Sequence, residues 1–219
     1  MSDGHSHDGH DHGHGDESEH GHSHDPAGDV DGLKSRTRAL QSLLLEKDLI
    51  SIESVNEVLE LFETEVGPMN GARVVARAWH DSEFKERLLE DANAAVERFD
   101  FDVGMQHLSV VENTSETHNA VVCTLCSCYP WSILGLPPTW YKSPQYRSRV
   151  IREPRAVLSE FGVDLGEDVD VQVWDSSSEI RYMVLPQRPP GTEGLTEDEL
   201  VEHVTRDAMI GVERLGADE

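Results

Sequence analysis

No apolar run in this sequence approaches the roughly 20 residues that a membrane-spanning helix requires. The first residues are rich in His, Gly and Asp, where a secretory leader would carry basic and then apolar residues. The expected location is therefore cytoplasmic, with no membrane partner. Positive charge is also scarce: 18 Lys and Arg face 43 Asp and Glu, for a formal charge of −25. Such a chain repels phosphate backbones and anionic lipid, which excludes nucleic acid as a partner. Nine of the acids precede Lys34 with no base among them, yet the remainder is still strongly acidic. That excess suits a salt-rich cytoplasm and is also common in ordinary ones. Aromatic residues make up only 6 %, but 37 % hydrophobic content over 219 residues suffices for one buried core.

Cysteine is scarcer still, and the three present, Cys123, Cys126 and Cys128, fall within six positions. An odd, clustered set cannot staple distant parts of a fold, which excludes a secreted disulfide framework and leaves reduced thiols. Thiolate sulfur is a soft donor for transition metals, so the loop reads as a metal claw. Structural zinc would need a fourth ligand, for which His118 and His107 are candidates. Zinc sites usually pair two ligand knuckles, however, and no second Cys or His pair exists in the folded part. An iron–sulfur cluster lacks its fourth cysteine. A redox dithiol and a catalytic metal held by three thiolates complete the alternatives, and spacing alone leaves all four open.

Residues 1–30 form a low-complexity stretch of Gly, Asp, Ser and eight histidines: His5, His7, His10, His12, His14, His20, His22 and His24. With almost nothing apolar to bury, it is expected to stay unfolded. Imidazoles at this density bind Co, Ni, Cu or Zn in many arrangements. The stretch reads either as a metal-capturing arm or as a solvated tail that binds metal incidentally.

From Leu33 to Phe99 apolar residues recur at helical spacing. Val55, Val58, Leu59, Phe62 and Val66 form one stripe; Phe84, Leu88, Ala92, Ala95, Val96 and Phe99 form another. Gly67-Pro68 and His80-Asp81 interrupt the pattern, predicting three or four amphipathic helices, one around Leu40 to Leu45. The stripes are expected as packing faces, although helices too polar to fold back would cover a partner chain instead.

After Asp100 short runs alternate: Leu108 and Val110, then Val121, then Val169 to Trp174 and Ile180 to Leu185, read as strands with one buried face each. A helix is expected from Pro154 to Phe161, closed by Gly162, and another from Thr196, whose spacing to Glu199 is that of a capping box. The expected division is a tail over 1–30, a helical region over 31–100 and an α/β metal-binding region over 101–215. That order of elements predicts α+β architecture.

The cysteine loop and its flanks, His118 to Trp131, run into Leu134-Gly135-Leu136-Pro137-Pro138-Thr139-Trp140-Tyr141-Lys142 and on through Tyr146-Arg147-Ser148-Arg149 and Arg152-Glu153-Pro154-Arg155. With Val173-Trp174-Asp175, Arg181 to Pro189, and Val204-Thr205-Arg206-Asp207 to Gly211-Val212, these segments resemble the α-subunit family of nitrile hydratases. The resemblance extends from about Lys34 to Val212; the histidine-rich stretch lies outside it. It implies an N-terminal helical arm followed by a layered α-β-β-α body carrying the metal loop.

What the resemblance implies chemically is hydration of small-molecule nitriles to amides, by way of an imidate, at a non-haem, non-corrin metal(III) centre. One ion per subunit would be held by the sulfurs of Cys123, Cys126 and Cys128 and by the deprotonated backbone amides of Ser127 and Cys128. Cys126 and Cys128 are similar to residues that the family oxidises to sulfinate and sulfenate. Two rungs of one oxidation ladder imply controlled maturation, hence an activator protein. Thr124 looks like the cobalt-type form, where iron-type members carry Ser, so Co(III) is implied ahead of Fe(III).

The resemblance implies catalytic roles for Cys128 and Ser127, the attacking oxygen being that of water, hydroxide or the Cys128 sulfenate. Trp131 is similar to a residue shaping the substrate pocket, or else packs on Pro137-Pro138. Arg181 aligns with an arginine linking to the partner subunit, or else is a solvated strand charge. The partner the resemblance implies is a β subunit, in an αβ or α2β2 heteromer, which would contribute arginines to the pocket. One departure is Gly104, where some members carry glutamine nineteen residues before the first cysteine; Gln106 is displaced by two. Two rivals stand beside this reading: the metal-bearing subunit of thiocyanate hydrolase, similar through the same loop, and a non-catalytic cobalt-binding protein.

Overall fold

The computed structural model describes residues 29–64, 68–99 and 107–216, without the side chains of residues 29–31, 33 and 61–64. The eight histidines of the tail, Val66, Gly67, Gly104, Gln106 and the side chain of Phe62 thus lie outside the described residues. The chain divides between Leu44 and Leu45 into two units. The first holds most of α1 (Asp29–Glu46), on which Leu40 and Leu43 are exposed.

Three of the early helices of the second unit start where the sequence supplies a side-chain cap, while another follows a proline. α2 (Ile52–Thr64) follows Ser51, whose Oγ accepts from the Ser54 amide at 3.0 Å, and α3 (Met69–His80) follows Pro68. α4 (Ser82–Glu90) and α5 (Ala92–Val96) begin at Asp81 and Asp91, whose carboxylates accept from the amides of Phe84 at 3.0 Å and Ala94 at 3.1 Å. Each such cap contributes about 1 kcal/mol. Asp91 thereby divides the second apolar stripe between two helices, so that five helices stand where three or four were expected. Phe84, Leu88, Ala92, Ala95 and Val96 are buried, as a packing face requires. The described part of the first stripe departs from that expectation: Val55 is half-buried, but Val58 is 53 % and Leu59 45 % exposed.

β1 (His107–Glu112) turns through residues 113–116 into β2 (Thr117–Val122), the Thr114 amide donating to the Thr117 carbonyl at 2.9 Å. After β2 come α6 (Trp131–Leu134), a 3-10 turn (Thr139–Lys142), α7 (Pro144–Arg149) and α8 (Pro154–Glu160). β3 (Asp170–Asp175) then pairs in parallel with β2, and β4 (Ile180–Leu185) in parallel with β1. β2 lies against β1 and β4, while α4 and α5 pack on β1 and α8 on β3. This is the α-β-β-α layering of an α+β body. β3 keeps the expected alternation, with Val171 and Val173 half-buried between exposed Asp170 and Gln172. β2 does not: His118 to Val122 are buried on both faces, as a strand enclosed between layers must be.

α9 (Glu197–Val201) has the capping box read from Thr196 and Glu199. α10 (Arg206–Ile210) packs on β2 and β4 and ends at Gly211 in the left-handed region, φ 90°. Among the described residues no helix is long and apolar enough to cross a membrane.

Candidate metal centre

β2 runs straight into the cysteine loop, Val122 being its last residue and Cys123 the next. Strand register sets Val122 opposite Asp175, the last residue of β3. The loop therefore opens at the carboxyl ends of two parallel strands, where ligand sites of parallel sheets gather. The Cys126 amide donates back to Cys123 Sγ at 3.3 Å. The Cys123 and Cys126 sulfurs are 3.3 Å apart and those of Cys126 and Cys128 3.0 Å apart, with all three within 4.8 Å of one another. The backbone amides of Ser127 and Cys128 add smaller contributions that lower the Cys126 pKa. Three clustered sulfurs fit a soft or borderline transition ion, not a hard, oxygen-seeking one.

No histidine among the described residues joins them. His107 is exposed at the start of β1, while His118 is buried and committed elsewhere, so neither supplies the fourth ligand considered for structural zinc. His118 Nε2 lies 2.8 Å from the Gly211 carbonyl and Nδ1 3.4 Å from Asn113 Nδ2. A carbonyl only accepts, so Nε2 carries the proton and Nδ1 is the acceptor. Burial holds the His118 pKa below its ordinary value, with Arg214 adding to the effect and the Gly211 carbonyl opposing it. The unfolded chain protonates here near pH 6.5 while the native chain resists, so the unfolded state binds more protons and stability falls as pH drops below about 6.5. Denaturant unfolding at pH 7.5 and 5.5 should show a smaller loss on acidification for His118→Gln than for the unaltered chain; equal losses would contradict this account.

The thiols differ in environment. Hydrogen bonds from Cys128 and then Cys123 lower the Cys126 pKa to about 7. Burial first, and the neighbouring thiols next, raise Cys128 to about 12, while the positive charge of Arg181 works against them. A bound cation would favour the deprotonated form of the sulfur ligands it touches.

Second-layer contacts brace the loop. Asp175 accepts from the Thr124 amide at 2.9 Å and from its hydroxyl at 2.6 Å. Arg147 Nη2 donates to the Thr124 carbonyl at 2.5 Å. The Tyr141 hydroxyl donates to the Cys128 carbonyl at 3.0 Å and that of Tyr146 to the Val121 carbonyl at 2.7 Å. Burial raises both phenol pKa values, so these hydroxyls remain donors. At the loop tip Leu125 is 87 % exposed and Cys126 is open to solvent, which leaves the claw a mouth.

Trp131 opens α6, three residues past Cys128, 40 % exposed, with Lys142 Nζ 5.6 Å from its ring centroid. Arg181 lies on β4 opposite Leu108. Its Nε and Nη1 are buried without a hydrogen-bond partner among the described residues, which is not the position of a solvated strand charge. Asp175, Arg147 and Tyr141 were assigned no role from the sequence. Only the pairing of β3 with β2 reveals that Asp175, closing its strand, lands beside Cys123.

The family described as "Nitrile hydratase, alpha chain" matches residues 31–213. A nitrile hydratase subunit alpha from Rhodococcus sp is 55 % identical over 183 residues, 82 % of this chain and 92 % of that one. The low-molecular weight cobalt-containing nitrile hydratase subunit alpha of Rhodococcus rhodochrous is 53 % identical over 182 residues, 82 % and 87 % of the two chains. A more distant relative, the thiocyanate hydrolase subunit gamma of Thiobacillus thioparus, is 44 % identical over 186 residues, 80 % and 76 % of the two. Among solved structures, a double mutant of the Fe-type nitrile hydratase from Comamonas testosteroni Ni1 superposes with a TM-score of 0.78 at 42 % identity, covering 87 % of this chain and 93 % of that one. With the claw formed at the end of β2 and the match running through nearly all of the described body, the chain belongs to the nitrile hydratase alpha-chain family.

Proposed function

We propose that this chain is the metal-bearing α subunit of a cobalt-type nitrile hydratase, hydrating small-molecule nitriles to amides only with a β subunit. The carrying observation is the three-sulfur claw on Cys123-Thr124-Leu125-Cys126-Ser127-Cys128, in a chain 53 % identical to a cobalt-containing relative. Cys123, Cys126, Cys128 and the amide nitrogens of Ser127 and Cys128 would hold one cobalt(III) ion per subunit. When bound, that ion supplies Lewis-acid polarisation of the nitrile.

Everything else is done by the protein. Arg181 offsets the negative charge gathered at Cys128. Trp131 shapes one wall of the substrate space and the Ser127 hydroxyl faces it. Cys126 as sulfinate and Cys128 as sulfenate would be acceptor groups that orient a water, which implies a maturation protein to reach those states. The uncovered apolar stripe of α2 suits burial against the β subunit in an αβ or α2β2 heteromer, and the site of action is the cytoplasm.

Co-expression with the β subunit, followed by elemental analysis and an acrylonitrile or benzonitrile assay, tests the assignment. Tetrahedral zinc with no amide formed would sink it, and thiocyanate hydrolysis in place of nitrile hydration would move the chain to the rival reading. The eight histidines of residues 1–30 are assigned to cobalt capture. Deleting them should lower cobalt occupancy in metal-limited cells but not in cobalt-replete ones; unchanged loading in both removes that role.

A further inference from the structure

We propose that Arg147 is a positioning residue for the metal loop: it fixes the Thr124–Leu125 peptide, and through it the Cys126 sulfur, and so sets how firmly the loop keeps its ion. The proposal rests on the loop being the metal centre. Cys123 is buried and anchored by β2, whereas Leu125 and Cys126 project at an exposed tip that packing does not hold. Thr124 is the hinge between the two. Asp175 holds the amide and hydroxyl of that residue. Its carbonyl, which aims the chain toward Leu125 and Cys126, receives Arg147 Nη2 at 2.5 Å.

The mount behind Arg147 is rigid. Ser143 caps α7 by accepting from the Tyr146 amide at 3.1 Å, and the neighbouring Tyr146 hydroxyl ties the helix to Val121 at 2.7 Å. Arg147 Nε is buried with no hydrogen-bond partner among the described residues. A buried donor left unmade costs free energy, so the side chain is held in place by what its other end does. Beside it lies an open cleft of about 460 Å³ lined by Thr124, Pro144, Arg147, Ser148, Ile151 and Arg152. With the guanidinium removed, that space lets the peptide rotate. Arg181 differs: it bears on Cys128 through charge. Arg147 acts through the geometry of a planar donor, which lysine does not reproduce.

The test uses the cobalt-loaded heteromer with Arg147→Met. Cobalt loss into excess chelator should be about ten- to a hundredfold faster, the range for residues that orient metal ligands, and the sulfur-to-cobalt absorption band should shift. Arg147→Lys should lose cobalt at an intermediate rate, and Ser148→Ala, on the same cleft wall, at the unaltered rate. An assembled Arg147→Met heteromer with unaltered cobalt loss and absorption overturns the proposal. If Arg147→Met fails to assemble, Arg147→Lys decides alone: faster loss supports the role and an unaltered rate overturns it. Failure of the unaltered heteromer to hold cobalt at all strikes the functional assignment instead, and the positioning role falls with it.

Discussion

Cys126→Ser in the assembled heteromer is expected to lower both bound cobalt and nitrile hydration by about a hundredfold or more. Residues that merely orient a metal ligand are worth about ten- to a hundredfold, and this change would remove one of the proposed donors outright. Cys126 is the middle sulfur, 3.3 Å from that of Cys123 and 3.0 Å from that of Cys128. A serine hydroxyl there is harder, less donating and far less acidic than a thiol already lowered to about 7. The adjacent position separates main-chain from side-chain contributions. Ser127→Ala keeps the amide nitrogen and should keep cobalt; Ser127→Pro eliminates its proton and should lose cobalt as fully as Cys126→Ser. Elemental analysis per α chain, paired with an acrylonitrile assay, reads all three. Full cobalt in Ser127→Pro would rule the amide out as a donor, and full cobalt in Cys126→Ser would rule out the claw itself.

The gathering of the three sulfurs was legible in the sequence because it is local: cysteines within six residues meet whatever lies across the fold. The capping box at Thr196 and the alternation of β3 were legible for the same reason. What the sequence did not carry are contacts between segments far apart in the chain. Asp175 is as ordinary a strand-ending acid as Asp170 until parallel pairing sets it opposite Val122. Arg147 is one of several bases along α7 and α8, distinguished only by reaching the Thr124 carbonyl. For Arg181 the sequence leaves two readings, a residue near the centre or a solvated strand charge, and only its place on β4, with Nε and Nη1 buried and its charge felt at Cys128, chooses between them. The periodicity of α2 correctly gives a helix and an apolar stripe but does not say what covers the stripe, because helical spacing encodes a face and not its partner. Asp91 shows the converse: a local cap divides a stripe that periodicity alone runs together.

Gly211→Ala is expected to destabilise the folded chain by about 3 kcal/mol or more, the sum of two independent costs. At φ 90° an alanine occupies backbone space unfavourable to L residues by about 1–2 kcal/mol. Its Cβ would also stand 2.0 Å from the Asn119 carbonyl oxygen and 2.9 Å from Ala120 Cα. Both are backbone atoms of a buried strand that cannot rotate aside, and forced overpacking costs about 1–3 kcal/mol. For a body of this size that is a fall in Tm of about 6–12 °C. Relief is obstructed because the strand is tied from several sides. His118 donates to the Gly211 carbonyl, Asn119 Nδ2 donates to the Glu112 carbonyl at 2.8 Å, and Trp174 Nε1 donates to Asn119 Oδ1 at 2.8 Å. Any retreat of Asn119 is passed along β2 toward Cys123, so cobalt loss should accelerate in the variant well below its unfolding temperature. A variant that melts within 2 °C of the unaltered protein, by roughly the same size scaling, would show that β2 can shift freely there, and the rigid mount assigned to the claw would have to be abandoned.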